Sequence, residues 1–156
     1  MSLYEDLIAS GVDGALIQSV TSVQLSEIER CRHRIASAAQ FLSSAFRDGL
    51  SLHAQMRCVF ESTYLCCCEL ADTAEFLSGP LEHPSMVIVN AAATLLDLTS
   101  AGNVTLRTLT DWASGNSPFV PLVKPEDACA LSRDVVAQTI QYFANGPHDN
   151  VKRYEV

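Results

Sequence analysis

Apolar residues recur at steps of three and four along most of the chain, and the period-two alternation of strands is nearly absent, so the pattern predicts helices. The first long run puts Ile28, Cys31, Ile35, Ala38, Leu42 and Ala45 on one stripe of a helix over about residues 22–46. Thr21 followed by Gln24 suits a capping box at its start. Arg47-Asp48-Gly49-Leu50 ends it, with Gly49 able to take the left-handed conformation. A second stripe of Met56, Phe60, Thr63, Cys67, Leu70, Ala74 and Leu77 predicts a helix over 52–77, stopped by Gly79-Pro80. Two helices of similar length joined by a short turn form an antiparallel hairpin.

Pro84 suits the first turn of a third helix, whose stripe is Ile88, Ala91, Ala92, Leu95 and Leu98 and which Ala101-Gly102-Asn103 stops. A shorter amphipathic piece over 104–112 follows. The last helix opens with Pro125-Glu126-Asp127, two acids where the helix dipole favours them. One of its rows is Ala128, Leu131, Val135 and Tyr142, interrupted by Gln138; Cys129, Val136, Ile140 and Phe143 widen the apolar face. Asn145-Gly146-Pro147 reads as its end, and residues 146–156 as a polar tail. Residues 4–8 and 15–20 form two short helical pieces that need the bundle or a neighbouring subunit to pack on. The expected architecture is an all-α, up-down bundle of four main helices within a single domain. Its core covers about residues 22–145, with short additional helices at residues 1–20 and before the last helix.

Composition narrows the function classes. The net charge of −8 opposes binding to a polyanion such as RNA unless a local basic patch overrides it. Only 18% of residues are charged, so more of the surface than usual is apolar, which favours a partner-covered face and most simply a homodimer. The first residues lack the basic and apolar regions of a signal peptide, and no run approaches the roughly 20 apolar residues of a membrane span. Of six cysteines, Cys66, Cys67 and Cys68 are consecutive, so their side chains diverge by about 100° each on a helix. Without paired CxxC or a companion histidine, no metal site is expected, and the thiols read as small core residues in a reducing cytoplasm. No cofactor is called for either, since no Gly-rich phosphate loop is present.

The connection over 112–128 joins two helical patterns, yet residues 113–123 hold no charged residue, histidine or cysteine. Long loops are where small domains keep working groups, and here Trp112, Asn116 and Phe119 remain with prolines. With Tyr64 or Tyr142 they suit the wall of a pocket for a flat ligand; equally they suit a packed bundle end or a dimer contact. Arg30, Arg32, His33 and Arg34 form a basic knot in which Arg30, His33 and Arg34 share one helical face and Arg32 points elsewhere. That face holds a phosphate or an acidic segment, or else is solvated, with Glu27 paired to Arg30 and Glu29 to His33. Glu61, Glu69, Asp72 and Glu75 read as a water-facing acidic edge, since the Glu-x-x-His pairs of di-iron bundles are missing.

Leu106-Arg-Thr-Leu-Thr-Asp-Trp112 followed by Val123-Lys-Pro-Glu-Asp-Ala-Cys-Ala-Leu131 resembles the end of a HEPN domain. Residues 25–30 and 56–77 resemble that family's first and second helices. The resemblance covers roughly 22–144 and rests on pattern and element order. In the family's ribonucleases, an arginine followed four to six residues later by a histidine, near the start of the final helix, acts at the scissile phosphate. Here Arg107, Asp111, Trp112, Asn116 and Ser117 occupy that region, and no histidine occurs between His83 and His148. Arg47 and His53 match the spacing, but in the first hairpin turn. The resemblance thus implies a degenerate member: a non-catalytic binding or regulatory module of a bacterial cytoplasm, dimeric, with a protein partner as in toxin–antitoxin-like pairs. The alternative is a divergent ribonuclease or nucleotide-acting enzyme using Arg47 and His53 with the basic patch of Arg30 and Arg34.

Overall fold

A computed structural model describes the backbone at residues 3–12, 20, 22–73, 84–115 and 119–154, and side chains at those positions other than 22, 23, 31, 73 and 145–154. It is 77% helical, with seven helices among the described residues packed against one another and no strand. The helices are α1 (Leu3–Ala9), α2 (Ser22–Cys31), α3 (His33–Ser44), α4 (Leu52–Thr73), α5 (Met86–Ala93), α6 (Ser100–Ser114) and α7 (Pro125–Tyr154). No helix is long and apolar enough to cross a membrane among the described residues. The cap at Thr21, residues 15–19 of the piece over 15–20, the stop at Gly79-Pro80, and Asn116 and His83 lie outside the described residues.

The central element is α4, which packs on α3, α5, α6 and α7. Its antiparallel pairing with α3 is marked by three contacts in register. Gln55 Nε2 donates to Ala45 O at 3.1 Å, Ser62 Oγ donates to Ala38 O at 2.7 Å, and Arg34 reaches Glu69 and Asp72. Ser62 and Ala38 are fully buried, and these small side chains let the two backbones approach closely where they cross. The turn between them uses Gly49 at φ +82°, where an L side chain would be strained. On the other face of α4, Ser132 Oγ of α7 meets Val59 O at 3.5 Å.

The structure revises four local expectations. The run over 22–46 is two helices, because Arg32 leaves the helical region at φ −129°, ψ 74°. The break keeps its hydrogen bonds: Arg32 N–H donates to Ile28 O at 2.7 Å, and Arg32 O accepts from Ile35 N at 3.0 Å. It redirects the chain so that α2 lies on α1 and α7 while α3 lies along α4. Periodicity cannot show such a break, since both halves keep an apolar face.

The third helix begins at Met86 rather than at Pro84, with Ser85 capping Val87 N at 3.2 Å. Ala101-Gly102-Asn103 does not stop that helix. It is the first turn of α6, capped by Thr99 Oγ1 accepting from Gly102 N at 3.0 Å. Finally, α7 runs through Gly146 and Pro147 to Tyr154. Proline removes only one ladder donor, and a helix already nucleated over five turns can continue past it.

Gln138, the polar interruption of α7, ties down the turn between α5 and α6. Its Oε1 accepts from Asp97 N at 2.7 Å, and its Nε2 donates to Asp97 O and to Asp134 Oδ1, each at 3.0 Å. Gln138→Ala should therefore lower stability by about 1–2 kcal/mol in urea unfolding followed by circular dichroism, since these bonds lie near solvent. An unchanged midpoint would show the clamp to be idle. At the N-terminal end, Leu3 and Leu7 of α1 join the core, and Leu3 N–H points at Glu29 Oε2 at 3.4 Å. Arg133 Nε donates to Ser10 O at 3.0 Å, and its guanidinium lies 4.3 Å from the Phe46 ring.

Candidate functional site

Trp112 stands in the last turn of α6, which ends at Ser114 with Gly115 N donating to Asp111 O and Trp112 O. The indole N–H donates to Phe119 O at 2.6 Å and so ties the start of the loop to its middle. The indole meets His53 of α4 edge to face, ring centroids 5.4 Å apart at 67°. The Arg57 guanidinium lies 5.6 Å from the Trp112 ring and 5.9 Å from Phe60, while pairing with Glu61 at 3.6 Å one turn on. A cation above an indole face gains roughly 0.5–1 kcal/mol near solvent.

Beyond that anchor the loop turns apolar side chains outward. Phe119 is 76% exposed, Val120 41% and Leu122 98%, whereas Pro121 is buried and Val123 packs on the core. Scattered apolar side chains on a surface need no explanation, but three within four residues on a pinned loop form a patch. The nearby start of α4 adds exposed Leu52 beside His53.

The basic knot is divided by the break at Arg32, so the shared face of Arg30, His33 and Arg34 does not exist. Arg30 is exposed at the end of α2. Arg32 and Arg34 both turn to Glu69, at 3.4 and 3.5 Å, and Arg34 also pairs with Asp72. Arg32 further covers the Phe143 ring at 4.4 Å. Its hydrogen bond to Asp72 holds the Arg34 guanidinium above its ordinary pKa, against partial burial. The acidic edge is corrected accordingly: Glu69 is buried and bridged by two arginines, and Asp72 and Glu61 are paired. Glu29 takes the Leu3 amide, not His33. Sequence spacing missed this cluster because Arg32 and Glu69 are 37 residues apart.

The other candidates separate along α4. Arg34 lies beside Asp72, near one end of α4, and His53 near the other; 19 positions at 1.5 Å place Asp72 and His53 roughly 28 Å apart along the axis. Arg47 lines a cleft with Asp6, Gln40, Ser43 and Ser44. Tyr64 is buried, stacked on Phe60 at 5.3 Å, with its hydroxyl accepting from Ser85 N at 2.7 Å. Tyr142 packs edge to face on Phe143. Tyr64 thus sits midway along α4 on Phe60, whose ring shares the Arg57 guanidinium with Trp112, and Tyr142 lies on the Phe143 ring that Arg32 covers.

The described cysteines are free thiols. Burial pushes Cys66 up to about 12, with Thr139 opposing, and drives Cys67 well above its ordinary value. Burial also raises Cys68 to about 11, against the pull of Arg34. Among the described residues no group of three His, Cys, Asp or Glu side chains is placed to hold a metal ion. No protein-family model, curated protein or solved structure matches the chain.

Proposed function

We propose that this chain is a non-catalytic binding module of the HEPN-like kind, acting in the cytoplasm as a homodimer joined through the loop after α6. The observation that carries this reading is the loop itself: Phe119, Val120 and Leu122 stand in solvent on a segment that Trp112 pins. Apolar side chains held rigidly in water favour association, because little conformational freedom is lost when a partner covers them. The separation of Arg34 from His53 along α4, and the engagement of His53 with Trp112, weigh against the ribonuclease alternative.

Sedimentation velocity at tens of micromolar tests the reading. The wild type should sediment as a dimer, and the double variant Phe119→Asp, Leu122→Asp as a monomer with an unchanged far-ultraviolet spectrum. Thermal midpoints are a poor readout here, because dimerisation itself raises them. A monomeric wild type, or a variant that stays dimeric, contradicts the loop as the interface. Incubation with RNA supplies the other arm: cleavage lost in both Arg47→Ala and His53→Ala would establish the enzyme instead.

A further inference from the structure

We propose that the cleft between α1 and the C-terminal half of α3 binds a small zwitterion of the α-amino acid class, its ammonium on Asp6 and its carboxylate on Arg47. The cleft has a volume of about 250 Å³ and is lined by Asp6, Gln40, Ser43, Ser44 and Arg47. Four of these fall at i, i+3, i+4 and i+7, so α3 and its continuation carry one polar stripe beside α1, flanking the buried face of Ile35, Ala38, Leu42 and Ala45.

The charges define the occupant. Asp6 is 5% exposed, yet its carboxylate makes no hydrogen bond or ion pair among the described residues. No enclosed side-chain oxygen among those residues lacks a partner, so the Asp6 carboxylate opens onto the cleft. A carboxylate stripped of most of its water and given no cation is costly unless something supplies one. Arg47, exposed at the far end of the stripe, likewise has no ion pair among the described residues. A ligand answering both needs a cationic donor at one end and an anionic acceptor for the guanidinium fork at the other. Gln40, Ser43 and Ser44 supply both donors and acceptors between them. The cleft's volume suits a compact amino acid. This site is separate from the loop face, so its failure leaves the binding-module reading intact.

The test is amide chemical-shift mapping on ¹⁵N-labelled full-length protein. The probes are the standard amino acids at about 10 mM, a concentration that saturates millimolar sites. Ethylammonium and propionate serve as single-charge controls. At least one amino acid should shift the amides of Asp6, Gln40, Ser43, Ser44 and Arg47 saturably, while both controls bind about tenfold or more weakly. Asp6→Asn and Arg47→Gln should each weaken that amino acid about tenfold or more, with the remaining amide spectrum unchanged. Should Asp6→Asn fail to fold, the exposed Arg47→Gln decides alone. The proposal is overturned if no amino acid shifts the cleft amides, if a control binds as well as the zwitterion, or if binding survives Arg47→Gln.

Discussion

Replacing Glu69 with alanine should lower the unfolding free energy by about 2–3 kcal/mol, a large loss for one charged side chain. Its side chain is 11% exposed and stands between Arg32 and Arg34, which are 34% and 44% exposed. Removing the carboxylate takes the shared acceptor from both arginines near the end of α4, with Arg32 still held against Phe143 and Arg34 on Asp72. Breaking a fully enclosed ion pair costs about 3–5 kcal/mol, and the partial exposure of both arginines reduces that here. Asp72→Ala is the contrast. Arg34 and Asp72 are both near half exposed, so it should cost under about 1 kcal/mol. Urea unfolding of the two variants, with Arg32→Ala and the Arg32→Ala, Glu69→Ala double variant, closes the cycle. A Glu69→Ala loss below about 0.5 kcal/mol would mean that water replaces the carboxylate without penalty.

The protein should also become markedly less stable in alkali. Cys66 and Tyr64 are both raised to about 12 in the fold, from ordinary values of 9.0 and 10.0, in each case chiefly because burial disfavours the charged form. A raised folded value means that the native state keeps a proton the unfolded chain has released. Their contribution is therefore intact below pH 9 and is lost as pH rises from about 9 towards 12. Each such group lowers the unfolding free energy by about 1.4 kcal/mol per pH unit in that window. Cys66 acts first and Tyr64 joins above pH 10. Cys67 adds to the same trend, since burial drives its pKa up as well. Urea midpoints taken from pH 7 to pH 11 should be flat to about pH 9 and then fall, and Cys66→Ala should flatten the early part of the decline. A stability that stays level through pH 11 would show that these thiols reach water in the native state.

Much of the fold was legible in the chain. The stripes through Ile35, Ala38 and Leu42 and through Met56, Phe60 and Leu70 are buried as expected, because helical spacing alone brings such residues to one face. Gly49 and the acids opening α7 also stand where local chemistry asks for them. Helix ends were less legible. Thr99 could be read as a cap only once Gly102 was known to be helical, and Ala-Gly-Asn looks the same at a start as at a stop. Gln138 looked like a flaw in a row, and its purpose lies 41 positions away at Asp97.

Of the candidate site, the sequence identified the loop but not its architecture. Trp112, Phe119 and the scarcity of charge were visible; the hydrogen bond from the indole to Phe119 O and the contact with His53 were not, because they depend on how α6 and α4 meet. Arg47 and His53, paired by spacing, serve different neighbours in the fold. Asp6 attracted no notice in a short acidic helix until α3 was laid across it. Local periodicity and turn chemistry determined the helical class, the central hairpin and the core stripes, since these depend on residues within a turn or two of each other. The break at Arg32, the bridging of Glu69, the aim of the Trp112 loop and the meeting of Asp6 and Arg47 on one cleft were decided only in three dimensions. They are contacts between segments distant in the chain, where no periodic signal reaches.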